Sequence, residues 1–142
     1  MCNYVHAESR MLKPNNEGYA YKMFTKFPTK DELSSTVFGV DYVADRSGWV
    51  KWDTKYPGHG FCVFLTEDDA LRVAENWINL FKLPLYLIVK RVKYREMICT
   101  HKERIMVWKK SNTDIGLVKE FKPLETIWVN DKEANHGERW KA

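Results

Sequence analysis

Four side chains with ligand or nucleophile chemistry fall in two short pairs, His59-x-x-Cys62 and Cys99-x-His101. On a strand Cys99 and His101 point to the same side, and zinc takes four such ligands in a tetrahedron. The spacings match neither a finger nor a ribbon, and a free cysteine usually behaves as a small buried hydrophobe, so no metal is assigned. A cysteine nucleophile needs a neighbouring histidine in a polarising environment. Cys62 stands between Phe61 and Val63, a context that predicts a packed, inert thiol. No G-x-S-x-G, phosphate-binding P-loop, G-x-G-x-x-G or H-E-x-x-H occurs. The chain therefore reads as leaning away from catalysis, with no catalytic residue and no cofactor.

Charge gives a different kind of candidate. The net charge is +4, yet residues 90–110 alone hold eight Lys/Arg against Glu96 and Glu103. Within "KRVKYR", strand alternation puts Arg91, Lys93 and Arg95 on one face, about 7 Å apart per step, with Lys90, Val92 and Tyr94 on the other. Rows of this kind suit phosphates or an acidic protein surface, and aromatic neighbours add stacking for single strands. Lys90, Arg91, Lys93 and Arg95 are thus candidate contacts for nucleic acid or an acidic partner. A charged face that protects a sheet edge has the same pattern.

The elements that hold these residues follow from periodicity. In "GYAYKMFTKF" (18–27), Tyr19, Tyr21, Met23 and Thr25 share one face and Ala20, Lys22, Phe24 and Lys26 the other, which predicts a strand. Thr29 with Glu32 matches a capping box, so a short helix is expected near 30–35. Residues 36–60 are aromatic and irregular, and a loop-rich insert of that kind suits a binding surface. Its Trp49, Trp52 and Tyr56 are candidate protein-interface residues.

Thr66 is a good N-cap, and Glu67, Asp68 and Asp69 put negative charge at the positive end of a helix dipole. Ala70, Leu71, Ala74, Trp77, Ile78 and Phe81 then form one apolar stripe, predicting a principal amphipathic helix over 67–81 that Pro84 ends. Beyond it, "LYLIVKRVKY" (85–94) and short strands near 96–100, 103–109, 115–121 and 126–130 read as a meander, with "SNTD" (111–114) as a turn. The expected class is α+β: a mostly antiparallel, curved sheet with one principal helix on a face. At 142 residues the length fits one domain, with 131–142 as a loosely ordered tail.

Three cysteines with no C-x-x-C pair fit a reducing compartment. No apolar run approaches the roughly 18 residues of a membrane span, and the first residues lack a signal pattern. A cytoplasmic protein without a membrane partner is expected, and exposed aromatics would suit a homodimer.

The run "GFCVFLTEDDA" (60–70) resembles a strand-to-helix motif of small uncharacterised phage and prophage proteins. In element order, residues 18–129 are also similar in outline to the minimal ADP-ribosyltransferase fold. That second resemblance implies a nucleotide cleft with His59, Tyr21 and Glu125 around it. Glu103 competes with Glu125 for the glutamate position, and Tyr21 and Lys22 stand where the family has His or Arg. Three functional readings follow. One is a phage-type binding or inhibitor protein acting without catalysis on a host or defence component, in an anti-CRISPR-like or other counter-defence role. Another is a protein that binds NAD, ADP-ribose or a signalling nucleotide, as enzyme or sponge. The last is nucleic-acid binding through the 90–110 stripe.

Overall fold

The computed structural model describes residues 5, 8–26, 42–52, 58–80, 86–106 and 110–130, without the side chains of 26, 77–80, 86, 103–106 and 110–112. The expected helix at 30–35, Tyr56 and the 131–142 segment lie outside the described residues. In chain order the elements are β1 (Arg10–Met11), β2 (Glu17–Lys26), β3 (Val50–Lys51), β4 (Phe61–Phe64), α1 (Glu67–Leu80), β5 (Tyr86–Met106) and β6 (Lys110–Val129). Strand order is β1-β5-β2-β4-β6-β3, all pairings are antiparallel, and β5 also pairs with β6. The circuit β5–β2–β4–β6 therefore returns to its start, and the sheet curls around an enclosed face. The expected mostly antiparallel, curved sheet with one principal helix is what forms.

The expected meander of short strands is corrected. β5 and β6 are two long strands paired with each other, registered from Ile88↔Val129 to Met106↔Lys110. "SNTD" is strand, not turn: Asn112, Thr113 and Asp114 lie opposite Arg104, Glu103 and Lys102. Tertiary partners override the turn preference there. Thr113 is fully buried and its hydroxyl accepts from Arg72 at 3.1 Å, while the Asp114 carbonyl takes the Leu65 amide at 3.4 Å.

The breaks that look like strand ends are irregularities within the ladder. Register shifts fall between Val89 and Lys90, Lys90 and Val92, and Met97 and Cys99. Pro123 sits opposite Val92 beside one of them, a place where a missing N–H is tolerated. Glu96 adopts φ 55°, and Asn16 clamps the kink. Its side chain donates to the Met97 carbonyl at 2.8 Å and accepts from the Met97 amide at 2.9 Å, while its own carbonyl takes the Glu96 amide at 2.8 Å.

Helix α1 begins as its sequence dictates. The Thr66 hydroxyl accepts the Asp69 amide at 3.2 Å, the N-cap bond, and Asp69 pairs with Arg72 at 2.7 Å. Its buried face includes Ala70, Val73 and Ala74, with Leu71 half-buried. Val73 extends the stripe expected from spacing; the Trp77 and Ile78 side chains are outside the described set.

Strand alternation divides the core in two. Met23, Cys62, Phe64, Leu87, Val89, Cys99, Ile115 and Leu117 face the helix. Ala20, Phe24, Phe61, Val63, Val92, Met97, Val118 and Phe121 face the enclosed side, with Tyr42, Val50 and Trp52 packed against them. The split in β2 is the one its period of two predicts: Met23 on one face, Ala20 and Phe24 on the other.

Candidate protein-binding face

The helix covers the outer face of β2 as far as Tyr21, which is half-buried against its cluster. Beyond that limit the outer faces of β2, β5 and β6 carry the basic row. Glu17 lies opposite Arg95, Tyr19 opposite Lys93 and Tyr21 opposite Arg91. On the other side of β5, Arg95 faces Glu120 and Lys93 faces Lys122. Directly opposed residues share a face, so Arg91, Lys93 and Arg95 do form the expected row. Lys90 is registered opposite Lys22, on the alternate face.

Two of the three cations in the row have partners. The Arg91 guanidinium forks onto both oxygens of Glu125, with Nη2 to Oε2 at 3.2 Å. This pairing is the main reason that the Glu125 carboxyl is held below its ordinary value and Arg91 is raised above its own. The same guanidinium lies 4.7 Å from the centre of the Tyr19 ring. Arg95 stacks on Trp49 at 3.8 Å.

Below them Lys51 reaches Glu120 at 3.7 Å and Asp45 at 3.8 Å. Asp45 holds the loop before β3 by accepting from the Ser47 hydroxyl at 2.7 Å and from the Ser47 and Trp49 amides at 2.9 and 3.0 Å. These bonds, the Ser47 hydroxyl foremost, depress its pKa. Gly48 turns there at φ 90°, under the Lys122 stem.

The stripe is thus interleaved with carboxylates from β2 and β6, and Lys93 with Lys122 is its like-charged pair. Tyr19 stands in the middle, 56% exposed. No spacing argument singles it out, because its exposure depends on how far α1 reaches across the sheet.

The aromatic insert is placed differently from expectation. Trp49 is only 5% exposed, beneath Arg95. Trp52 is half-buried, edge-on to Phe61 at 4.9 Å, with its amide bonded to the Lys119 carbonyl at 2.8 Å. Trp52 packs on the enclosed cluster and Trp49 lies under Arg95 of the outer row, so both offer a partner little area.

Tyr21, Arg91 and Glu125 gather across β2, β5 and β6. His59 sits apart, before the start of β4, its carbonyl accepting from Lys119 at 2.9 Å. Gly58 and Gly60 flank it for different reasons. Gly58 has φ 80°, whereas a Cβ on Gly60 would stand 2.8 Å from the Val118 carbonyl oxygen. Both are demands of the turn into β4.

Cys62 and Cys99 are buried on the helix-facing side, and burial pushes the Cys99 thiol up, away from nucleophilic character. Among the described residues, no group of three or more His, Cys, Asp or Glu is placed to hold a metal, and no helix is long and apolar enough to cross a membrane. No family model, curated protein or solved structure matches the chain.

Proposed function

We propose that this chain acts by binding a protein partner, without catalysis, through the outer face of β2, β5 and β6 centred on Tyr19 and Arg91. The observation that carries the reading is the exposed Tyr19 ring on a guanidinium that Glu125 already holds. Tyr and Arg are the residue types that dominate protein interfaces, and an anchor fixed before binding loses less entropy on association. Charge balance favours a protein over a nucleic acid. Phosphate tracks are bound by cations free to replace counterions, whereas Glu17, Glu120 and Glu125 lie among these. A surface of alternating sign selects a partner with the complementary pattern.

The partner we assign is a host or defence component, met in the cytoplasm, and the role that of a phage-type inhibitor; the resemblance of "GFCVFLTEDDA" supports this setting. The nucleotide reading has less support, since Glu125 is engaged by Arg91 and His59 lies apart from it.

A photo-crosslinking amino acid at position 19 tests the proposal in lysate of the cell in which the protein acts. One discrete protein adduct, absent when the label sits on exposed Val43, is the expected result. Adducts to nucleic acid, or an identical adduct pattern from both positions, would contradict it.

A further inference from the structure

The enclosed face of the sheet holds a lysine. Lys22 is 6% exposed, and its ammonium donates to the Cys62 carbonyl at 2.8 Å. Four rings of the described residues surround it: Tyr42 at 5.3 Å, Phe121 at 5.5 Å, Phe24 at 5.9 Å and Phe61 at 6.0 Å from Nζ to ring centre. Among the described residues the ammonium has no ion pair and this single acceptor, although it carries three N–H donors. A second donor lies beside the same ring cluster. The Trp52 indole packs on Phe61, and its Nε1–H is buried with no acceptor among the described residues.

Aromatic faces stabilise a cation, but they accept poorly from its N–H groups and neutralise none of its charge. Buried charges are ordinarily paired, because taking them out of water is expensive. Here Lys22 has donors to spare and the Trp52 indole N–H has no acceptor among the described residues, the walls are aromatic, and the rim residues Tyr42 and Trp52 are half-buried, so the cluster reaches the surface at that end.

We infer that the Lys22 cage is a binding site for a small organic anion, a carboxylate carried on a flat apolar body. The carboxylate would accept from Lys22 Nζ and Trp52 Nε1, and the flat body would pack on the rings of Phe61 and Tyr42. The site is on the opposite face of β2 from Tyr19, so it is separate from the protein-binding face and does not depend on it.

Sodium benzoate is the probe, with benzamide as its neutral counterpart. Titration is followed at the Trp52 indole N–H in 1H–15N spectra, assigned with Trp52→Phe. The expected result is a saturable shift with benzoate at about 10 mM or below, little with benzamide, and binding weakened about tenfold or more in Lys22→Met, the loss of one charged hydrogen bond. An indole signal that stays fixed, or equal titration of parent and Lys22→Met, would overturn the assignment. Should Lys22→Met fail to fold, thermal stabilisation by benzoate in Trp52→Phe decides: a response as large as the parent's overturns the site, and a reduced one supports it.

Discussion

Replacing Phe121 by alanine tests whether β2, β4, β5 and β6 enclose one packed face. Phe121 is fully buried and lies opposite Val50 on β3 and Tyr94 on β5. Its ring meets Phe61 at 4.9 Å, Tyr42 at 5.3 Å and Phe24 at 5.9 Å, joining β4, the loop before β3, and β2. Deleting a buried phenylalanine side chain costs about 3–5 kcal/mol. The perpendicular pairs add about 0.5–1.5 kcal/mol each, part of which that range already contains. The Lys22 ammonium also loses a ring 5.5 Å away. The upper end of the range therefore applies, about 5 kcal/mol, against a total stability of about 5–15 kcal/mol for a domain. Phe121→Leu keeps most of the volume and should cost about 1–2 kcal/mol. Urea unfolding followed by tryptophan fluorescence gives both numbers. An alanine variant losing less than about 2 kcal/mol would refute the enclosed ring cluster, because only a side chain with room to be replaced by solvent behaves so mildly.

Two further outcomes follow from particular residues. Gly60→Ala forces a Cβ to 2.8 Å from backbone at Val118, so it should destabilise by about 1–3 kcal/mol in thermal or urea unfolding. Gly58→Ala meets nothing within 4 Å and should cost about 1 kcal/mol through its φ of 80° alone. For pH, Glu125 and Asp45 both have folded pKa values below their ordinary ones, so their stabilising contribution is complete above the ordinary values of 4.5 and 3.8. It is lost as pH falls through the lowered folded values. Acid titration should show the Arg91–Glu125 fork opening below pH 4.5, and Glu125→Gln should flatten that part of the profile.

The legibility of the fold varies with the kind of signal. β2 could be read because its two faces are chemically distinct at a period of two, and α1 because Thr66 and three acids mark its start. The long β5–β6 pair could not, because its irregularities at Lys90, Glu96 and Met97 imitate strand ends and Ser111–Asp114 are turn formers held in strand opposite Ile105, Arg104, Glu103 and Lys102. The cations could be placed as a row, but not their neutralisation. Glu120 and Glu125 come from a strand whose register over Arg95 and Arg91 depends on those bulges. Trp49 and Trp52 looked available because aromatic residues in an irregular segment carry no pattern that tells cover from contact. Lys22 shares its face of an alternating strand with Ala20, Phe24 and Lys26, and only closure of the sheet encloses it.

The central claim is that a protein partner docks on Tyr19 and Arg91, and its most direct test is the affinity of the crosslinked partner for parent and variant. Tyr19→Ala, with unchanged circular dichroism and melting temperature, should weaken binding about 30-fold or more, the loss of a hot-spot side chain worth about 2 kcal/mol. Lys102→Ala, at an exposed cation outside the face, should leave it unchanged. Equal affinity of Tyr19→Ala and parent for that partner would contradict the account.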